Sequence, residues 1–264
     1  MTPATGSPYI AAPMLKITAL SKSFGALRAL DSVTLEVAAG AIHGIIGPNG
    51  SGKTTLFNCV TGHLKPDGGT VSLGNRDITG MRSDLIANLG IRRTFQASKL
   101  VPSLTVLENV MAGVNDAVGK AAADTFLRLP FVVSRREMDI EERARRALAV
   151  TGMEATADRW SADLVWTERQ LVQIARTLVC APKILLLDEP ASGMGLKEME
   201  KVEQIIRQVR EGGVTVVVVS HDVKMLMNLS DTVTVLNFGQ KIAEGSPEAI
   251  QKDPRVLEAY LGAE

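Results

Sequence analysis

Apolar and polar positions divide this chain into short strands and longer helices. Residues 14–20, 33–37 and 41–46 alternate or run apolar over strand lengths, and 70–73 repeats this after the turn Pro66-Asp67-Gly68-Gly69. Residues 83–88 read as a short helix with Gly90 beyond its end, and 91–95 as a further strand. Two continuous apolar runs, 184–187 and 215–219, have the length and lack of alternation expected of buried strands in a parallel sheet. Between them, Met199, Val202, Ile205, Ile206 and Val209 recur at helical spacing over 197–210, with Gly212-Gly213 as the stop. A helix starting near Thr167 carries Leu171, Ile174, Ala175 and Leu178 on one face. A helix from Asp222, a hairpin-like pair around Asn237-Phe238-Gly239-Gln240, and a helical tail over 247–261 broken near Pro254 complete the pattern.

Between Gln96 and Asp163 the strands give way to helical patterns at 105–113, 121–129 and 135–150. The last is highly charged, and its Glu141/Arg145 and Glu142/Arg146 spacings describe a solvated face with i,i+4 ion pairs. Strands alternating with helices argue for an α/β fold on a parallel sheet, with a helical subdomain inserted into it.

Composition narrows this little. At 264 residues the chain is long for one domain and short for two, consistent with a core plus a large insertion. Net charge is zero and no dense Lys/Arg tract occurs, so phosphate-driven nucleic-acid binding is not expected. Cys59 and Cys180 match no metal or redox spacing, and both sit in helical patterns as small apolar side chains, which suits a reducing cytoplasm. The Pro/Ala/Thr-rich start reads as a loose tail rather than a signal peptide. No apolar run approaches the ~20 residues needed to span a bilayer, so any membrane role is expected to come through a partner.

The chemistry centres on Gly47-Pro48-Asn49-Gly50-Ser51-Gly52-Lys53-Thr54, a match to the P-loop pattern that wraps the phosphates of ATP or GTP. It follows a buried strand and opens a helix running from Thr55, so helix-terminal N–H groups add to the loop's own. Lys53 is expected on the β and γ phosphates and the Thr54 hydroxyl on Mg²⁺. Asp188 and Glu189 end the run 184–187 and precede Pro190, at the edge where parallel sheets bind ligands. Asp188 is placed to hold Mg²⁺ and Glu189 to act as general base on water. His221, after the strand 215–219, is expected to reach a γ-phosphate, whereas His43 and His63 read as structural. Gln96, after the strand 91–95, has an amide suited to Mg²⁺ or water.

The P-loop, Gln96, Leu185-Leu186-Leu187-Asp188-Glu189-Pro190 and Ser220-His221-Asp222 resemble in order and spacing an ABC-transporter ATPase. The resemblance covers about 15–261. Arg93-Thr94-Phe95-Gln96, the long helical insert, Ile174-Ala175-Arg176 and the closing Ala259-Tyr260-Leu261-Gly262 look most like the ATPase subunits of branched-chain amino-acid importers. It implies a RecA-like P-loop NTPase core with an N-terminal antiparallel β portion. The core would span 14–95 and 168–246, the helical subdomain 96–167, and C-terminal helices 247–264, after a tail at 1–13.

It further implies ATP and Mg²⁺ as cofactors, adenine stacking on Phe24, and ATP held between one chain's P-loop and a second chain's signature loop. A heterodimer is favoured, with a homodimer as the alternative. Two permease subunits would dock after Gln96 on the cytoplasmic face of the inner membrane, and a solute-binding protein would serve them indirectly. The expected function is an ATPase powering import of branched-chain or related amino acids. The alternatives are a regulatory subunit with little turnover, or an importer of another small solute such as urea, an amide or an aromatic carboxylate.

The chain departs from the family pattern in two places. The signature, Leu-Ser-x-Gly-Gln/Glu in the family, reads Leu164-Val165-Trp166-Thr167-Glu168, so Val165 lacks the hydroxyl and Thr167 adds a side chain where glycine admits close approach. Ala191-Ser192-Gly193-Met194-Gly195 ends in glycine where the family has Asp or Asn. Both departures lie on the implied dimer face.

Overall fold

The computed structural model describes residues 13–94, 100–114 and 135–261. Gln96, the start of the chain and the helix expected at 121–129 lie outside the described residues. Strands β1 (Pro13–Phe24), β2 (Leu27–Ala38), β4 (Gly68–Leu73) and β5 (Arg76–Asp77) form an antiparallel sheet in the order β2-β1-β4-β5. A second sheet has the order β10-β9-β3-β8-β7-β6, built from β3 (Ile42–Ile46), β6 (Ile91–Arg93), β7 (Ile184–Asp188), β8 (Thr215–Val219), β9 (Thr232–Asn237) and β10 (Gln240–Gly245). It is parallel from β6 to β9, and β10 returns antiparallel through a hairpin.

β3, β7 and β8 are buried along their whole length because this sheet is covered on both faces. Leu185, Leu187, Val216 and Val218 face one core, shared with the helices. Ile184, Leu186, Val217 and Val219 face the other, shared with the antiparallel sheet and α1 (Lys53–Val60). The two-residue side-chain period of a strand thus delivers alternate residues to two apolar layers, and leaves no polar positions to alternate with.

Helices α2 (Ser83–Asn88), α6 (Leu196–Glu211), α7 (Val223–Leu229), α8 (Pro247–Ile250) and α9 (Pro254–Leu261) follow the periodicity closely. α3 (Val106–Met111), α4 (Arg135–Val150) and α5 (Trp166–Leu178) pack against one another. Thr105 caps α3 in a reciprocal box with Glu108, and the fully buried Asn109 ties Val101, Leu104 and Ser161 to it. The pairs Arg145–Glu141 and Arg146–Glu142 form on the exposed face of α4, at 2.8 and 2.7 Å. Cys59 is buried in α1, where burial pushes its thiol up to about 11. Cys180 lies just past the end of α5 rather than in a helix, its Sγ against the Gly113 carbonyl at 3.1 Å. Among the described residues no helix is long and apolar enough to cross a membrane.

Candidate active site

The parallel strands all deliver chemistry to one edge. β3 runs into Gly47 to Lys53, β7 ends at Asp188 before Glu189, and β8 leads through Ser220 to His221. Two glycines set the path of the loop. A Cβ on Gly47 would lie 2.1 Å from the Leu236 carbonyl oxygen, and one on Gly52 (φ 103°) would lie 2.5 Å from that of Ala29. The loop is therefore clamped between the β9–β10 hairpin and β2. Further bonds hold it from Gly239 N–H to the Ser51 carbonyl (3.1 Å) and from Asp31 N–H to the Gly239 carbonyl (2.8 Å).

Inside the loop, Lys53 Nζ donates to the carbonyls of Gly47 and Pro48 at 2.8 and 2.9 Å. Burial pushes this ammonium below its ordinary pKa, while the nearby Glu189 and Asp188 pull it back up. The loop opens on a cavity of about 360 Å³ that it shares with Phe24, Leu27, Asp188, Glu189 and Phe238. Thr54 and Thr55 line the same cavity. Of the residues expected at the nucleotide, Phe24 and Asn49 through Thr55 line this one space together with Asp188 and Glu189, while Gly47 and Pro48 do not line it. His221 does not line it directly, and Gln96 lies outside the described residues.

Asp188 is buried, and its Oδ2 accepts from Arg93 Nη2 at 2.6 Å. Arg93 also donates from Nη1 to Asn58 Oδ1 at 2.6 Å and lies over the Phe57 ring, 5.4 Å from its centroid. The other oxygen, Asp188 Oδ1, is buried without a hydrogen-bond partner. An orphaned carboxylate oxygen on a residue that lines the same cavity as Thr54 fits a hard cation that keeps most of its water. Among the described residues no cluster of three or more His, Cys, Asp or Glu forms a closed metal cage.

Glu189 occupies the left-handed backbone region (φ 53°), uncommon for a residue with a side chain and costing roughly 1–2 kcal/mol. Its N–H donates to the Val219 carbonyl at 2.9 Å, which tethers the turn to β8. Its Oε2 meets His221 Nδ1 at 2.7 Å and the His221 backbone N–H at 3.3 Å. His221 is two-thirds exposed and is joined to Glu189 in this structure. His43 lies at 2.8 Å from the Thr234 hydroxyl, and burial lowers its pKa to about 4. His63 contacts the Thr61 hydroxyl at 2.9 Å.

Sequence reasoning missed Arg93 as a site residue. No sequence spacing marked it: its strand pairs position for position with the apolar β7 only in the fold. Leu27 and Phe238, both exposed at the cavity mouth, carried no sequence signal.

The turn before α5 is built differently. Glu168 Oε2 accepts the Val165 N–H at 3.1 Å, and Arg159 holds Glu168 Oε1 at 3.0 Å. Trp166 Nε1 donates to the Ser192 carbonyl at 3.1 Å, joining this turn to the loop after Glu189.

A P-loop after β3, a histidine after the adjacent β8 and an acid pair at the end of β7, one strand further, accompany a family match. The model for ABC transporters matches residues 30–192. The chain belongs to the ABC transporter ATP-binding cassettes. A second family model, for the branched-chain amino acid ATP-binding cassette transporter, matches residues 240–264 of the cassette. The cassette is 37% identical over 251 residues to the high-affinity branched-chain amino acid transport ATP-binding protein LivG of Salmonella typhimurium, covering 95% of this chain and 98% of that one. A crystal structure of the ADP conformation of an ATP-binding cassette of an ABC transporter superposes with a TM-score of 0.81 at 31% identity, covering 95% and 99% of the two chains. A dimeric post-hydrolysis cassette bound to ADP and Pi gives 0.73 at 29%, covering 89% and 99%. The cassette is an ATP-binding ATPase of this family.

Proposed function

We propose that the cassette is the ATP-hydrolysing subunit of an importer, powering uptake of branched-chain or related amino acids through membrane permease partners. The observation that carries it is the convergence of Lys53, Asp188 and Glu189 on one cavity floored by the P-loop. In this reading Lys53 exchanges its loop carbonyls for the β and γ phosphates, and the loop N–H groups from Asn49 to Thr55 cradle the rest. Phe24, about half exposed at the cavity wall, stacks on the adenine. Mg²⁺ would be held by the Thr54 hydroxyl and Asp188 Oδ1, with Gln96 as a further ligand, and would neutralise charge on the phosphates.

Glu189 takes a proton from water while the water oxygen attacks the γ-phosphorus. The bond to the bridging oxygen breaks, leaving ADP and phosphate. His221 holds Oε2 of Glu189, so Oε1 is the oxygen that receives the proton. Transport follows if ATP closes two cassettes and hydrolysis reopens them, on the cytoplasmic face of the membrane against two permeases fed by a solute-binding protein.

A heterodimer fits best, because the P-loop site is complete whereas Val165 and Thr167 alter the signature. Hydrolysis and ATP-dependent dimerisation of the purified chain, with Glu189→Gln as control, test this. An idle monomer reactivated by a second cassette supports the heterodimer. In that pair, replacing the partner's glutamate should reduce turnover less than Glu189→Gln, and equal losses would remove the asymmetry. ATP binding with no turnover in the assembled complex would instead support a regulatory subunit, the reading favoured by the missing Val165 hydroxyl.

A further inference from the structure

The altered signature turn is joined to the turn that carries Glu189 in the same chain. Glu189 runs into Pro190, and the Ser192 N–H donates to the Glu189 carbonyl at 3.2 Å, closing a tight turn with proline in its second position. Pro190 and Ala191 are buried, and the chain then emerges through Gly193, at a left-handed φ of 75°, toward α6. Trp166, the first residue of α5, reaches this loop, and its Nε1 donates to the Ser192 carbonyl at 3.1 Å. A Cβ on Gly193 would lie 3.6 Å from the same Nε1, so the indole nitrogen sits close to the next residue as well. Two bonds in series therefore run from Trp166 to Ser192 and from Ser192 to Glu189.

Glu189 needs such support, because a side-chain-bearing residue at φ 53° keeps that conformation only where its surroundings over-determine it. Its N–H is tied to Val219 and its Oε2 to His221, both on the β8 side. The Ser192 bond holds the peptide that follows, and Trp166 fastens it to α5. The base of this strut is itself fixed. Glu168 accepts the Val165 N–H and is held by Arg159, while Arg169 donates to the Leu164 and Ala162 carbonyls.

We propose that Trp166 is a positioning residue for Glu189. The turn before α5, whose sequence departs from the family signature, braces the catalytic turn of its own chain and governs the chemical step rather than the affinity for ATP. This rests on Glu189 being the general base. Trp166→Phe keeps a ring and removes the donor. Replacing Trp166 with benzothienylalanine keeps the indole shape with sulfur in place of N–H, so an effect shared by both belongs to the bond. Trp166 is about half exposed, and neither change opens the core.

Amide hydrogen exchange at Ser192 in the full-length chain, without nucleotide, reads the strut. Its reference is Arg169, whose N–H bonds Val165 at the start of α5. Steady-state kcat and KM for ATP, with a second cassette present where turnover requires one, read the consequence. Both replacements should speed Ser192 exchange severalfold with Arg169 unchanged, and lower kcat about fivefold at constant KM. In a Glu189→Gln background the same replacements should cost nothing further, because no base remains to be positioned. Wild-type exchange and kcat would overturn the proposal. So would equal speeding at Ser192 and Arg169, which is fraying of α5, or a fivefold loss that persists in Glu189→Gln. Undiminished turnover in Glu189→Gln alone would refute the general-base reading, while Ser192 exchange still decides whether Trp166 holds the turn.

Discussion

The P-loop edge and the turn before α5 are both helix starts at a protein surface, yet they treat their polar groups in opposite ways. At the P-loop edge charge is gathered and left incomplete. Lys53 is desolvated, Asp188 Oδ1 is buried without a partner, and Glu189 is held in a strained backbone conformation. At the turn the groups satisfy one another. Glu168 takes the Val165 N–H, Arg169 takes the Leu164 and Ala162 carbonyls at 2.9 and 3.0 Å, and Trp166 takes that of Ser192. Val165 and Trp166, both apolar, are exposed there. The first region has affinity in reserve for a ligand, because its unmet groups gain when a partner arrives. The second has little, and this physical asymmetry matches the altered signature.

The largest effect expected is on the first region. Glu189→Gln should lower kcat by about 10²–10⁴-fold while ATP binding persists, checked by phosphate release and nucleotide titration. Retained turnover would put the base elsewhere and dissolve the contrast. Next is Arg93→Met, which strands the buried Asp188 carboxylate and should cost roughly 3–5 kcal/mol, seen as a lower denaturation midpoint in urea. A neutral outcome would mean that Asp188 is better solvated than its burial implies.

Acid should act on the same region, through β3 beneath the loop. His43 is neutral in the fold, with a pKa of about 4, and takes up a proton near 6.5 when unfolded. Its contribution is full above about pH 6.5 and is lost as pH falls toward 4, by up to roughly 3 kcal/mol. Thermal melts from pH 7 to 5 should show this fall, flattened in His43→Gln. The smallest effect belongs to the second region. Trp166→Phe removes the bond to Ser192 and should lower stability by about 1 kcal/mol, leaving ATP affinity unchanged in titration.

Most strands and helices were legible because their periodicities are local. The runs at 184–187 and 215–219, the apolar stripe of α6 and the P-loop each carry their signal within one stretch of chain. β5 was not legible, since two residues, Arg76 and Asp77, have no pattern and pair with β4 only because the hairpin folds back. Nor was the full reach of β1 to Phe24, which follows from register with β2 through several bulges. In the site, the loop and the two acids stood out by residue type and by their place at strand ends. Arg93 was hidden because an ion pair across two strands leaves no spacing in either.

By itself the sequence determined the α/β class, the phosphate loop, the acids at the end of β7 and the family, because each is written in contiguous residues whose chemistry does not depend on neighbours. Only the tertiary structure decided which distant groups meet. It paired Arg93 with Asp188 and His221 with Glu189, and tied Trp166 to Ser192. Those contacts come from how sheets and helices are stacked, and burial then turns each short distance into an interaction strong enough to matter.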